Sequence, residues 1–245
     1  MSPRPLLIDA AWRLASLGGA VAAAAFLLVP AAGLGWRGIV AALAIYAAIA
    51  ALVLWALPQH APHRRFGAAN ALTLARAGYV ALLLGAVVEG VLLTENLRWA
   101  LVLSGLIVLL LDGADGWAAR RTGLASPFGA RFDMEVDALF VLVLTMLVAR
   151  AGAAGGWVMI AGLLRYLFVG AGFFWPILAL PLPASFRRKA VCVVQILALL
   201  AALAPPAAPL ATWLCLGGLI LLGYSFVADI VQLMGTRRVA VRITT

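Results

Sequence analysis

Acidic side chains are nearly missing from this sequence: nine Asp and Glu stand in 245 residues, against eighteen Lys and Arg. Charge of either sign is sparse, at 11% of residues, where a soluble domain carries about a quarter. That excludes a water-soluble globular fold, because too little polar surface exists to cover one. Only two cysteines occur, Cys192 and Cys215, both inside apolar runs. They exclude a disulfide framework and zinc-ligand spacing, and read as buried thiols. The two histidines, His60 and His63, share a proline-containing loop; solvated loop residues, not metal ligands, are the expectation there. No convincing cleavage site follows the first apolar run, which therefore reads as a retained helix. No strong internal repeat and no separate soluble domain is visible.

What is present is apolar. Hydrophobic residues make up 66% of the chain, the mean hydropathy is +1.11, and runs near twenty apolar residues recur throughout. The fold class is an all-α integral membrane protein, a polytopic bundle of about eight transmembrane helices. The spans are expected near 14–29, 36–57, 69–93, 97–119, 129–148, 157–178, 190–203 and 210–234. Residues 3–16 mix charges with Trp12 and leucines, which suits a short interfacial helix or, equally, a frayed terminus. Arg120 and Arg121, and again Arg187, Arg188 and Lys189, are expected in loops. Eight spans put both termini on one side, and 14 of the 18 Lys and Arg fall on that side. The positive-inside rule makes it cytoplasmic, which gives a multi-pass protein of the inner (cytoplasmic) membrane. The net charge of +9 sits in short loops, so it fits membrane lipid headgroups and topology, not nucleic acid.

Five of the nine acids fall between Asp112 and Asp137, in apolar surroundings. Carboxylates there need compensation. Asp112 and Asp115 are three apart, Asp133 and Asp137 four apart; on helices each pair shares one face, about 5–6 Å apart. Two facing helix ends would bring four hard oxygen ligands to one point, suited to Mg²⁺, Mn²⁺ or Ca²⁺. Four carboxylates suffice for two ions, an arrangement that clamps a phosphoryl displacement. The bland alternative is a set of acids capping helix ends at the membrane surface.

The stretch reads D-x-x-D-G-x-x-A-R-x8-G-x3-D-x3-D, eight specified residues over 26 positions. It resembles the signature of the CDP-alcohol phosphatidyltransferases at every one of them. The resemblance implies a six-helix catalytic core at about 66–235, two added N-terminal helices within 1–65, and a basic tail at 236–245. It implies Mg²⁺ or Mn²⁺ held by Asp112, Asp115, Asp133 and Asp137, with Asp137 also the general base. Gly116, Ala119 and Gly129 would leave room for the nucleotide, and Arg120 would meet its phosphates. The string Asn70-x-x-Thr73-x-x-Arg76 resembles the opening of the family's first core helix, which implies donor contacts; on its own it is an N-cap region with a snorkelling arginine. CDP-diacylglycerol, or a related CDP-linked donor, would give up its phosphatidyl group to an alcohol acceptor and release CMP. Family members are commonly homodimers, and the resemblance extends that to this chain.

Arg165 lies well inside the sixth span, where a charge costs about 3 kcal/mol and needs a partner. Two readings stand. With Arg187, Arg188 and Lys189 it binds an anionic group, most simply phosphate, on the acceptor; or it pairs internally with Asp229. The acceptor itself has no signature. Two rival functions are weaker. A membrane prenyltransferase needs two Asp-rich motifs far apart in sequence, and a non-enzymatic cation transporter favours acids at mid-membrane depth. Here the four acids are clustered and sit at helix ends.

Overall fold

The structure, a computed structural model, describes residues 4–122, 126–180 and 185–244, without the side chains at 4, 30, 31, 112, 114–122, 179 and 235–244. Among the described residues all regular structure is helical. The eight helices are α1 (Arg4–Ala32), α2 (Trp36–Ala56), α3 (Gly67–Glu89), α4 (Glu95–Thr122), α5 (Pro127–Arg150), α6 (Met159–Phe174), α7 (Phe186–Leu203) and α8 (Ala211–Thr244). Among the described residues five stretches are long and apolar enough to cross a membrane: Pro5–Val29, Trp36–His60, Gly67–Glu89, Gly156–Phe174 and Pro205–Met234. This is the expected all-α polytopic membrane architecture.

Several boundaries differ from expectation. The interfacial segment and the first span form one unbroken helix, because nothing between Arg4 and Pro30 breaks it. Leu6, Ala10 and Leu14, spaced by four, are buried along one face of it. The sixth span stops at Phe174, since Trp175 precedes Pro176 and is held extended at φ −123°, ψ 90°. Arg120 and Arg121 belong to the end of α4. Arg187, Arg188 and Lys189 form the first turn of α7. The basic tail continues α8 as helix to Thr244. Arg120 and Arg121, and the cations at 187–189, are thus helical where loops are expected.

The chain forms two compact units, Met1–Val143 and Leu144–Thr245. In the first, α3 is the spine: Leu74, Ala77, Val80 and Ala81 are fully buried. Lipid offers no hydrophobic drive for helix association, so close backbone packing matters. A Cβ built on Gly85 would stand 2.4 Å from the Gly38 carbonyl oxygen, so α2 and α3 meet backbone to backbone. Carboxylates tie the same helices at their ends. Glu89 accepts the Gly38 N–H at 2.6 Å, serving the third residue of α2, whose own cap position is a glycine with no side-chain bond. Asp9 of α1 accepts the Phe66 N–H at 2.8 Å and is paired with Arg13 at 3.3 Å. It does for α3 what the acid of a capping box does within one chain segment. Tyr46 of α2 donates to the Leu14 carbonyl at 2.8 Å.

In the second unit, α7 buries Val191, Gln195, Ile196, Leu199 and Leu203 along one face. α8 packs closely there, since a Cβ on Gly218 would lie 2.6 Å from Gln195 Oε1. Phe168 of α6 meets Phe226 of α8 at 5.4 Å between ring centroids.

The Gly38–Gly85 contact gives a direct test. Gly85→Ala gains about 1 kcal/mol of helix propensity, yet its methyl collides with backbone that cannot rotate away. The expected net result is a loss of about 1–3 kcal/mol, read as a lower melting temperature in detergent. Gly19→Ala, where nothing lies within 4 Å, should melt at or above the wild-type temperature.

Candidate active site

Asn70, Thr73 and Arg76 are spaced by three on the first turns of α3 and lie on its buried side. Polar groups placed there must be satisfied. Asn70 Nδ2 donates to the Phe66 carbonyl at 2.6 Å, and Thr73 Oγ1 donates to the Ala69 carbonyl at 3.2 Å. Arg76 reaches across to α5. Its Nη1 donates to Asp133 Oδ1 at 2.7 Å, and its Nη2 donates to Asp137 Oδ1. The guanidinium side chain is 1% exposed, while the carboxylates keep 29% and 20% of their surface. One buried fork therefore grips two carboxylates one helical turn apart, a geometry that arginine's planar donors allow and lysine's do not.

At this point Arg76 is shared between two carboxylates. The oxygen donors of Asp133 and Asp137, partly open and one turn apart, fit a hard divalent cation. Among the described residues no three metal-ligating side chains converge. The side chains of Asp112, Asp115, Ala119 and Arg120 and the surroundings of Gly116 lie outside those described. The backbone of α4 runs helically through all five positions.

The start of α5 is built by Pro127, which the sequence marks as an element start, and by Ser126, which it does not. Pro127 opens the helix, where its fixed φ is already helical. Ser126 caps it, Oγ accepting the Gly129 N–H at 3.1 Å and its carbonyl accepting from Ala130 at 3.1 Å. A Cβ on Gly129 would stand 2.7 Å from Asn70 Oδ1, so the missing side chain admits the Asn70 carboxamide. Two expected donor-side residues are thus brought together. Tyr79 of α3 holds the flanking helices, its hydroxyl 2.7 Å from Ser104 Oγ of α4 and its ring edge-on to Phe140 of α5 at 6.1 Å.

His60 corrects the loop expectation. It is fully buried, with Nδ1 2.7 Å from Ser126 Oγ and Nε2 3.0 Å from the Arg65 carbonyl. A proline-rich flank suggests solvent, but here it folds back beneath Phe128. Only burial could have flagged His60, and a loop has no periodicity from which burial is read.

The expected acceptor cations belong to the second unit. Asp229 is engaged by Arg187, not by Arg165. Arg187 Nη2 donates to Asp229 Oδ1, its Nη1 donates to Ser225 Oγ at 2.7 Å and to the Ser225 carbonyl at 2.6 Å, and Arg188 Nη1 is 4.0 Å from Asp229 Oδ2. Arg165 sits within α6, and Lys189 in the first turn of α7.

A family model described as CDP-alcohol phosphatidyltransferase matches residues 66–224, from the residue before α3 into α8. No curated protein and no solved structure matches the chain.

Removing the fork should be costly. Arg76→Met removes the cation that two neighbouring carboxylates share and should destabilise the fold by about 2–3 kcal/mol. That is below the usual figure for a broken buried pair, because both acids keep some solvent. Arg76→Lys should recover only part of the loss; thermal melting of the three proteins decides. At the other cluster, Asp229→Asn should lower stability and Arg187→Met should then cost little more, a coupling of about 1–2 kcal/mol in a double-mutant cycle.

Proposed function

The chain belongs to the CDP-alcohol phosphatidyltransferase family, and from that premise we propose that it moves the phosphatidyl group of CDP-diacylglycerol to an alcohol acceptor and releases CMP. Family membership carries the coarser statement, transfer of a substituted phosphate group from a CDP-alcohol. The observation that supports the site is the pair Asp133 and Asp137, side by side on α5 and held by the α3 guanidinium.

In this reading Asp112, Asp115, Asp133 and Asp137 hold two Mg²⁺ or Mn²⁺ ions. Bound there, the ions would offset the pyrophosphate charge of the donor. The chain's own residues do the rest. Arg76 fixes the rotamers of Asp133 and Asp137. The acceptor oxygen bonds to the phosphorus that carries the lipid, the bond from that phosphorus to the CMP oxygen breaks, and the hydroxyl proton passes to Asp137. An ionised carboxylate has about four lone-pair sites, so holding Arg76 does not exhaust it. A positioned base of this kind is worth about 10²–10⁴-fold. Asn70, Thr73, Gly116, Ala119, Arg120 and Gly129 form the donor side, with Asn70 and Gly129 already in contact.

Arg165, Arg187, Arg188 and Lys189 form the acceptor side. Three of these cations start α7, where outward N–H groups and the helix dipole already favour an anion. Asp229 is the sole acid from residue 144 onward, so positive charge is in excess, and a phosphorylated acceptor would suit it. The distribution of Lys and Arg supports a site at the cytoplasmic face of the inner membrane, where CTP-derived donors are made. Association into a homodimer belongs to the same reading.

Purified protein with labelled CDP-diacylglycerol and a panel of acceptors (glycerol 3-phosphate, an inositol phosphate, serine) tests this. CMP should appear only with an acceptor and with Mg²⁺ or Mn²⁺. Asp112→Asn, Asp115→Asn and Asp133→Asn should each abolish transfer in folded protein. Asp137→Asn should lower kcat by about 10²–10⁴-fold and leave donor affinity in place. Full activity in excess chelator would sink the metal-dependent mechanism.

A further inference from the structure

We propose that His60, which lies outside the segment matched by the family, is a positioning residue for the active site: acting through Ser126, it fixes the first turn of α5 against α3. The proposal rests on the reading of α5 as the helix that carries Asp133 and Asp137.

The proton arrangement around His60 follows from its partners. The Arg65 carbonyl 3.0 Å from Nε2 can only accept, so Nε2 carries the ring proton. In the neutral ring Nδ1 is then an acceptor, and Ser126 Oγ, 2.7 Å away, donates to it. With its hydrogen committed, the Ser126 oxygen is left to accept, and it accepts the Gly129 N–H at 3.1 Å. The chain runs one way: Gly129 N–H to Ser126, Ser126 O–H to His60, His60 Nε2–H to Arg65. An ordinary serine cap has a hydroxyl free to rotate; this one is locked from behind by a fully buried ring. The same ring lies edge-on to Phe128, at 5.5 Å, and Phe128 is stacked on Phe132 at 6.0 Å. His60 therefore holds α5 at a polar point and an apolar one.

The consequence reaches the carboxylates. Asn70 fills the space over Gly129, and Arg76 meets Asp133 and Asp137 in the next two turns. A start of α5 that moved would carry both acids past Arg76, and displacements of about 1 Å in such sites can cost 10²-fold in rate. The residue that sets this height comes from the short turn Leu57–His60 after α2, so the N-terminal helices contribute to the site without lining it.

Two near-isosteres separate the two ends of the ring. In His60→Asn the side-chain oxygen takes the place of Nδ1 and keeps the Ser126 bond. In His60→Gln the amide nitrogen takes the place of Nε2 and keeps only the Arg65 bond. Hydrogen exchange of the full chain in detergent reads the helix start without relying on turnover. His60→Gln and Ser126→Ala should each speed exchange at Gly129–Asp133 by about tenfold, the size of one lost cap. His60→Asn should stay within about twofold of wild type, and Ala77–Gly85 of α3 should be unchanged in all three. Where transfer is measurable, kcat should fall in the first two with donor KM little altered, and return in His60→Asn. A protein with no transferase activity would reject the functional reading alone, and exchange would still decide the role of His60. Wild-type exchange at Gly129–Asp133 in both His60→Gln and Ser126→Ala would overturn the proposal. So would equal damage in His60→Asn, or faster exchange spread into α3.

Discussion

One guanidinium holds the described part of the site together. Arg76 is almost wholly buried, and two carboxylates from another helix converge on it. A lone charge at such a position would be untenable in apolar surroundings, and two adjacent carboxylates would repel. Each side makes the other tolerable. The neighbouring polar groups follow from this. Asn70 and Thr73 donate to carbonyls of their own chain segment, and Arg76 donates across to the carboxylates of α5.

Around that point the first unit is organised by α3. Its start is capped by Asp9 from α1, and its last residue, Glu89, caps α2 in turn. Between these ends the glycine contact sets the distance to α2, and Tyr79 sets the relation to α4 and α5. A helix fixed at both ends and along two sides has little freedom to slide, and a site that depends on the height of Arg76 needs that.

Much of this was legible in the sequence, for physical reasons that differ by element. Long apolar runs announced the helices. The acids stood out because they were rare, and their spacing of four placed Asp133 and Asp137 together on α5. Boundaries failed where charge and helix coincide. Hydropathy ends a span at the first cation, whereas the helix ends where hydrogen bonding does, so α4, α7 and α8 all run further than their apolar stretches. Proline was decisive where the preceding residue took an extended conformation, at Trp175. Partners across helices were not legible. Asp229 could be matched to Arg165 by hydropathy alone, but depth and rotation on α7 give it to Arg187. Asp9, Glu89, Ser126 and His60 act over separations of 51 to 66 residues, where no local pattern exists.

The two capping carboxylates also bear on how such a chain could change over time. Helices α1 and α2 lie outside the family-matched segment, which invites the view that they are detachable. Yet the Phe66 amide looks to α1 for its acceptor, and Glu89 looks to α2 for its donor. Without the N-terminal pair, the central helix would open with an unanswered N–H and close on a carboxylate that has lost its donor. A descendant that shed these helices in one step would have to replace several unrelated side-chain contacts together. The edge of the family-matched segment is therefore not an edge of the fold.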